Sequence, residues 1–299
     1  MKTPLCIAAL LFSMTASAVP RIAVVQSDDL SPYVDPVPAF LEALDEPALV
    51  VNLHGRQADA DAAIIKLREQ SPAVVFALGA KAAYAVKNGL PDTPIVFTSV
   101  LEPRRYGIEG GQTTGIHMTV EPEIYLSQFV GFFPEVSSIG VLRGPSTSDE
   151  QMGRIYAAAK AVGVEVVVKS VDSPRKVRAA FHEITPEVDA LWLRPDREIL
   201  TRESFRALTD ETHRRRIPLL VDTDNMVRAG GLFAVMPSYE GLGRQAAAMS
   251  KRIADGTAPS LIEVEEPNEV LVVLNLRAVR NAEIAFEELL LDFVDLVIE

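Results

Sequence analysis

Little in this sequence supports covalent cross-linking, metal binding or catalysis. Of its 299 residues one is cysteine, one tryptophan and four histidine. With Cys6 alone, an intramolecular disulfide, a CxxC redox pair and a cysteine-based zinc site are all excluded. His54, His117, His182 and His213 form no HExxH and no i, i+4 pair. Lysine and arginine number 29 against 41 aspartates and glutamates, a formal charge of -12, which argues against a nucleic-acid partner because phosphate binding demands a basic face. There is no P-loop, and Gln26-Ser27-Asp28-Asp29 stands where a GxGxxG turn would follow the first strand. Gly144-Pro145-Ser146-Thr147-Ser148 lacks the final glycine of a nucleophile elbow. Gly241-Leu242-Gly243 sits inside a helical pattern. The chain therefore reads as a binding protein that is not an enzyme, with no cofactor and no metal.

Hydrophobic residues make up 48% of the chain, a globular composition whose length suits two domains. Lys2 precedes an apolar stretch from Leu5 to Phe12, and Ala16-Ser17-Ala18 is a small-x-small cleavage pattern. This predicts a secretory signal over residues 1–18, cut after Ala18. Cys6 lies within the apolar core and not at its end, so no lipoprotein arrangement is present. The core is about half the length needed to span a bilayer, and no later run is apolar enough. The mature product is expected outside the cytoplasm, in the periplasm, with no membrane span.

Beyond Pro20, short apolar runs alternate with longer amphipathic ones. Ile22 to Val25, Ala48 to Leu53, Ala73 to Leu78 and Ile95 to Val100 suit strands buried on both faces of a parallel sheet. Val37 to Leu44, Ala58 to Glu69 and Ala80 to Lys87 have helical periodicity. A second series repeats the plan, with strands Ser138 to Leu142, Val164 to Val171, Asp189 to Leu193 and Pro218 to Val221. Its helices are Glu121 to Phe132, Asp149 to Val162, Pro174 to Ile184 and Thr201 to Arg216. The pattern predicts an α/β fold of two Rossmann-like lobes with parallel sheets. Thr113 to Thr119, Phe233 to Ser238 and Val270 to Leu274 are expected to cross between lobes as a hinge of strands, with a helix from Tyr239 to Ala254. Lobe 1 would comprise 19–117 plus 239–266, and lobe 2 would comprise 118–238 plus 267–299. Ile284, Leu289, Leu290, Phe293 and Leu296 at helical spacings predict a last segment packed onto a lobe. The arginines of the Thr201 to Arg216 helix gather at its C-terminal end, a placement that the helix dipole favours; a permease-docking face is the alternative.

Open α/β sheets hold ligands at the carboxyl ends of their strands. Here those ends carry Gln26 and Ser27, Gly79 and Ala80, Ser99 and Val100, Ser146 and Thr147, Asp196, and Asp224. Gly79 permits close backbone approach, and the N–H groups opening the next helix favour an anion such as a carboxylate. Asp196 or Asp224 would pair with an ammonium, and the two poles describe a clamp for a zwitterion. Ordinary capping and turn roles are the alternative for Ser148, Asp196 and Asp224. Tyr33 would stack on a flat ligand or pack within its lobe.

The stretches Thr114-Gly115-Ile116, Phe133 to Leu142, Ile217-Pro218-Leu219-Leu220, Val227 to Leu232 and Leu242-Gly243-Arg244-Gln245, with Leu274 to Ala278 and Val294 to Ile298, resemble the substrate-binding proteins of ABC importers, in the subfamily with tryptophan-binding and tyrosine-binding members. The resemblance spans essentially the whole chain after the signal. It implies a type I periplasmic binding protein fold, with three crossings and a ligand in the cleft between the lobes. It also implies an amino acid or related carboxylate as ligand, hinge closure, and an ABC permease as membrane partner for a monomer. Glu102-Pro103 replaces the usual Asp-Pro, Arg104-Arg105 follows, and Asp196-Arg197 replaces Asp-Asn; an arginine beside the cleft would favour a more anionic ligand. Other classes compatible with these layers are a ligand-sensing module for a kinase or chemoreceptor, and a secreted hydrolase.

Overall fold

The computed structural model describes residues 21–299, so the signal expected at 1–18 lies outside the described residues. The first series of elements is β1 (Ile22–Gln26), α1 (Ser31–Val34), α2 (Pro36–Leu44), β2 (Ala48–Asn52), α3 (Gln57–Gln70), β3 (Val74–Leu78), α4 (Ala80–Gly89), β4 (Ile95–Thr98) and β5 (Thr113–Gly115). Its strands form one parallel sheet in the order β2-β1-β3-β4-β5. The residues of β1, β3 and β4 are all buried, which is why they read as unbroken apolar runs. One face packs Phe40 of α2 against Phe76, with ring centroids 4.5 Å apart.

The second series is α5 (Pro122–Phe132), β6 (Ser138–Arg143), α6 (Asp149–Ala161), β7 (Glu165–Ser170), α7 (Val177–Ile184), β8 (Ala190–Trp192), α8 (Arg202–Arg215), β9 (Leu219–Val221), α9 (Asp224–Arg228) and β10 (Phe233–Pro237). The chain then returns to the first lobe as α10 (Tyr239–Ala254) and comes back as β11 (Val270–Asn275), α11 (Leu276–Ala282) and β12 (Leu296–Ile298). These strands make a seven-stranded sheet in the order β12-β11-β10-β9-β8-β6-β7. All its pairings are parallel except β10 with β11. Tyr125 of α5 stacks on Trp192 at 4.6 Å, and its buried hydroxyl lies 2.7 Å from Val221 O and 3.1 Å from Phe233 O.

Three segments join the lobes: residues 116–121, Ser238, and residues 255–269. The crossings are thus non-strand connections, and the strands expected to cross belong to one sheet or the other. Phe233 to Pro237 and Val270 to Leu274 pair with each other inside the larger sheet, Phe233 opposite Leu274 and Pro237 opposite Val270. Pro237, which cannot donate to a ladder, closes its strand. The first and third crossings are tied by His117 N–H to Glu265 O and Glu265 N–H to Gly115 O, both 2.9 Å. Ser238 N–H donates to Glu269 O at 2.9 Å, which ties the second to the third.

Two further expectations are corrected. The segment read at helical spacing near the C-terminus is a 3-10 turn, Glu288–Phe293, followed by the edge strand β12. Leu289 and Phe293 are 82% and 70% exposed, so their i, i+4 spacing does not mark a buried face, whereas Ile284, Leu290 and Leu296 pack onto the second lobe as expected. Residues 174–176 form a 3-10 turn ahead of α7 in place of its first turn.

Two arginines of α8 and one of α7 converge on one carboxylate. Glu211 accepts from Arg178 at 3.2 Å, Arg215 at 2.6 Å and Arg214, and is itself buried. Those charge-assisted bonds hold its carboxyl down to about 2. A carboxyl depressed in the folded state contributes stability above its unfolded value of 4.5 and loses it as the pH falls toward 2. Glu211→Gln is therefore expected to destabilise the protein at pH 7 by on the order of 2 kcal/mol, a figure discounted for the exposure of its arginine partners. Urea denaturation at pH 7 and pH 3 checks this; an equal difference at both would contradict it.

Candidate functional site

A cavity of about 370 Å³ lies between the lobes, a volume suited to a small molecule. One wall is the β4–β5 loop of the first lobe, including Leu101 to Arg105 and Glu109. The facing wall comes from the second lobe: Ser146 to Ser148 at the end of β6, Gln151, Arg154 and Ile155 of α6, and Arg194 to Arg197 after β8. The back is the hinge, through His117, Thr119 to Pro122 and Glu266.

Asp196 is the best-formed polar group in this wall. The residue is 4% exposed, and its carboxylate accepts from Thr147 Oγ1 at 3.2 Å and from Glu198 N–H at 2.9 Å. Gly144 makes room for it, since a Cβ there would fall 2.2 Å from Asp196 Oδ2. No cation lies within ion-pair distance of Asp196 among the described residues. A buried carboxylate held without a counterion is costly, and a cationic group entering the cavity would offset that cost. Beside it Ser146 Oγ is buried with no hydrogen-bond partner among the described residues.

The arginines are engaged by the protein itself. Arg104 pairs with Glu109 at 2.7 Å, Arg154 with Glu121 at 2.9 Å and Arg105 with Glu102 at 3.2 Å and Glu198 at 3.0 Å. Arg194 lies 4.8 Å over the Trp192 ring and 3.5 Å from Asp222 Oδ2. Burial pushes the Asp222 carboxyl up, against the pull of Arg194. The lining carries five arginines against Glu102, Glu109, Glu121, Glu150, Asp196 and Glu266. Four of these five arginines thus stand against carboxylates, while Arg197 meets the hydroxyl and ring of Tyr106.

Of the residues expected at the strand ends, Ser146, Thr147 and Asp196 meet at this cavity; the others lie elsewhere. Gln26 Nε2 donates to Tyr33 O at 2.9 Å, Ser27 Oγ accepts from Ala82 N–H at 2.9 Å, and Ser99 Oγ donates to Pro32 O at 2.6 Å. Those polar groups knit the first lobe's strand ends together. Gly79 has φ +92°, and a Cβ there would meet Ser27 Oγ and the Tyr33 ring, each at 2.6 Å. Glycine is required there, and Tyr33 covers the opening of α4 beside half-buried Ala80. Ser99 itself holds a left-handed backbone, φ +59°, an unfavourable conformation for a residue with a side chain. Val100 is 2% exposed within the first lobe's apolar core, so its side chain offers a ligand nothing. Asp224 opens α9 and lies 3.6 Å from Arg228. Its charge, with those of Asp35 and Tyr33, acts on Tyr239, whose phenol burial chiefly pushes up to about 12.

Sequence reasoning did not single out the hinge residues. His117 Nε2 lies 3.7 Å from Glu266 Oε1, and burial pushes the imidazole down. Burial and the neighbouring Glu121 carboxyl push Glu266 up to about 7. Since its folded value exceeds the unfolded 4.5, the folded chain holds an extra proton between those pH values, and stability falls as the pH rises through that window. Glu266→Gln is expected to reduce this dependence and to melt above the parent at pH 8, with little difference at pH 5. Scanning calorimetry at the two pH values tests it; parallel curves would refute it.

Two sheets with ligand-facing loops at their strand ends and three crossings define a type I periplasmic binding protein fold. The family model described as ABC transporter substrate binding protein matches residues 45–298, and the chain belongs to that family. A tyrosine-binding protein of Clostridioides difficile is 24% identical over 210 residues, 68% of this chain, and the match spans 60% of that protein's length. Among solved structures, the ligand-free, open form of a substrate binding protein with adhesive properties from Clostridium difficile superposes with a TM-score of 0.76 at 19% identity, covering 93% of this chain and 98% of that one. An ABC domain in complex with L-Trp from Streptococcus pneumonia gives 0.62 at 20% identity, covering 93% and 100%. No helix among the described residues is long and apolar enough to cross a membrane.

Proposed function

We propose that the protein is the solute-binding component of an ABC importer, working outside the cytoplasm, that captures an amino acid between its lobes without altering it. The units that move are 19–117 with 239–266 and 118–238 with 267–299, turning about the three crossings. Closure would convert binding energy into a shape that a permease recognises. The observation that carries this reading is Asp196, buried and hydrogen-bonded yet without a counterion in the cavity wall, an acceptor suited to the ammonium of an amino acid. The matched arginines around it leave a lining in which a neutral amino acid is not repelled. Family membership supports binding over catalysis, and the relatives named for tyrosine and L-Trp set the first ligands to try. A thermal-shift screen over amino acids, carboxylates and nucleobases tests the proposal, because a ligand confined to the folded state raises the melting temperature by mass action. A shift with one or a few amino acids is expected. A shift with none of them, or turnover of any, would sink it.

A further inference from the structure

Away from the three crossings, the hydrogen bonds and ion pairs that join the two lobes among the described residues occur at one place. Arg105 Nη2 of the β4–β5 loop meets Glu198 Oε1 of the loop after β8 at 3.0 Å. The adjacent residues pair as well: Arg197 Nη1 donates to Tyr106 OH at 3.2 Å and its guanidinium lies 5.8 Å over the Tyr106 ring. Two neighbouring residues on each loop thus meet their counterparts in antiparallel order, 105 with 198 and 106 with 197. Arg105 is also held from its own side, since Nη1 donates to Glu102 at 3.2 Å. That contact fixes the guanidinium fork before the other lobe arrives, which lowers the ordering cost of each closure. Arg105 and Arg197 line the cavity from facing walls.

We propose that Arg105, Tyr106, Arg197 and Glu198 form a clasp that holds the lobes together over the cavity, and so act as positioning residues that set affinity by biasing closure. The inference goes beyond the proposed function: it requires that the lobes move, whatever the ligand. Because the pairs are partly exposed, the clasp is weak enough to open thermally. An exposed ion pair and an exposed cation–π contact together shift a two-state balance by roughly 5- to 30-fold.

The test reads the ligand-free chain. Its one cysteine is Cys6, so with Cys6→Ser the exposed positions Tyr84→Cys on α4 and Tyr156→Cys on α6 accept a fluorophore pair, one per lobe. Single-molecule energy transfer then reports the distance between lobes. In Arg105→Ala and in Arg197→Ala the separated population is expected to grow about 2- to 5-fold each and in the double variant about 5- to 30-fold, and the Arg105→Ala effect to vanish in a Glu198→Ala background. Raising salt to 1 M, where the screening length falls to about 3 Å, should reproduce the change in the parent chain without any substitution at the clasp. Superimposable distance distributions in parent and variants at every salt concentration would overturn the clasp. So would an Arg105→Ala effect undiminished in Glu198→Ala. A clasp that behaves as expected in a chain that binds no amino acid would leave this inference standing and refute the proposed ligand class.

Discussion

In Asp196→Ala the affinity for the amino-acid ligand is expected to fall about 100-fold, because truncating one member of a buried, hydrogen-bonded charge pair costs about 2–5 kcal/mol of binding. The same substitution should cost the unliganded fold little. Its carboxylate is buried with hydrogen bonds but no counterion, so the folded chain already bears a desolvation penalty that alanine removes. Asp196→Asn separates charge from shape: its one amide oxygen still accepts from Glu198 N–H, its NH2 group meets Thr147 Oγ1, which can accept, and the ion pair is lost. Calorimetric titration of the three proteins checks the expectation. Equal affinities in parent and Asp196→Asn would show that the carboxylate's charge takes no part in binding. The pairing of weakened binding with an unchanged or higher melting temperature in Asp196→Asn is the pattern expected of a site that holds strain for function.

Gly243→Ala should be the most damaging small substitution in the first lobe. α10 crosses α2 so closely that a Cβ on Gly243 would fall 2.1 Å from Pro36 O and 3.0 Å from Phe40 N. Both obstacles are backbone, so neither can swing aside as a side chain would. The helices must separate, and the packing of Phe40 on Phe76 loosens with them. The gain of about 1 kcal/mol in helix propensity on replacing glycine is outweighed by the overpacking, for a net loss of about 3 kcal/mol. For a chain of this size that lowers the melting temperature by about 6 to 12 °C. A melting temperature within 2 °C of the parent would mean that the two helices are not in backbone contact. Gly153 on α6, whose Cβ would meet nothing within 4 Å, serves as the control.

Much of the fold was legible in the sequence, because parallel strands buried on both faces have no polar alternation. Ile22 to Val25, Val74 to Leu78 and Ile95 to Phe97 are apolar throughout for that reason. The C-terminal segment misled for the converse reason. Leu289 and Phe293 have helical spacing but face solvent, and the strand that follows them adds to an exposed sheet edge. Strands β10 and β11 were visible as strands, yet nothing in their composition says whether such a strand bridges two lobes or completes one sheet.

The site was harder to read. Strand-end position marks which residues can face a cleft, and it brought out Ser146, Thr147 and Asp196. It cannot say which hydroxyls the protein consumes for itself: Ser27 terminates on Ala82 N–H and Ser99 on Pro32 O, contacts that depend on loops folded back from elsewhere in the chain. The pairing of the cleft's charges was hidden for the same reason. Arg104, Arg105 and Arg154 look like free cations in a string of letters, whereas each sits on a carboxylate, one of them 93 residues away. Glu121 and Glu266 come from different crossings, and no local pattern links them.

Small-angle scattering of the protein and of Arg105→Ala, each with and without a saturating amino acid identified by the thermal-shift screen, reads closure of the lobes on a ligand. A smaller radius of gyration with ligand is expected, with the larger change in Arg105→Ala, whose lobes the clasp no longer holds together, along with a 1:1 stoichiometry and the amino acid recovered unchanged. A profile identical in both states at saturation, or recovery of a chemically altered compound, would contradict it.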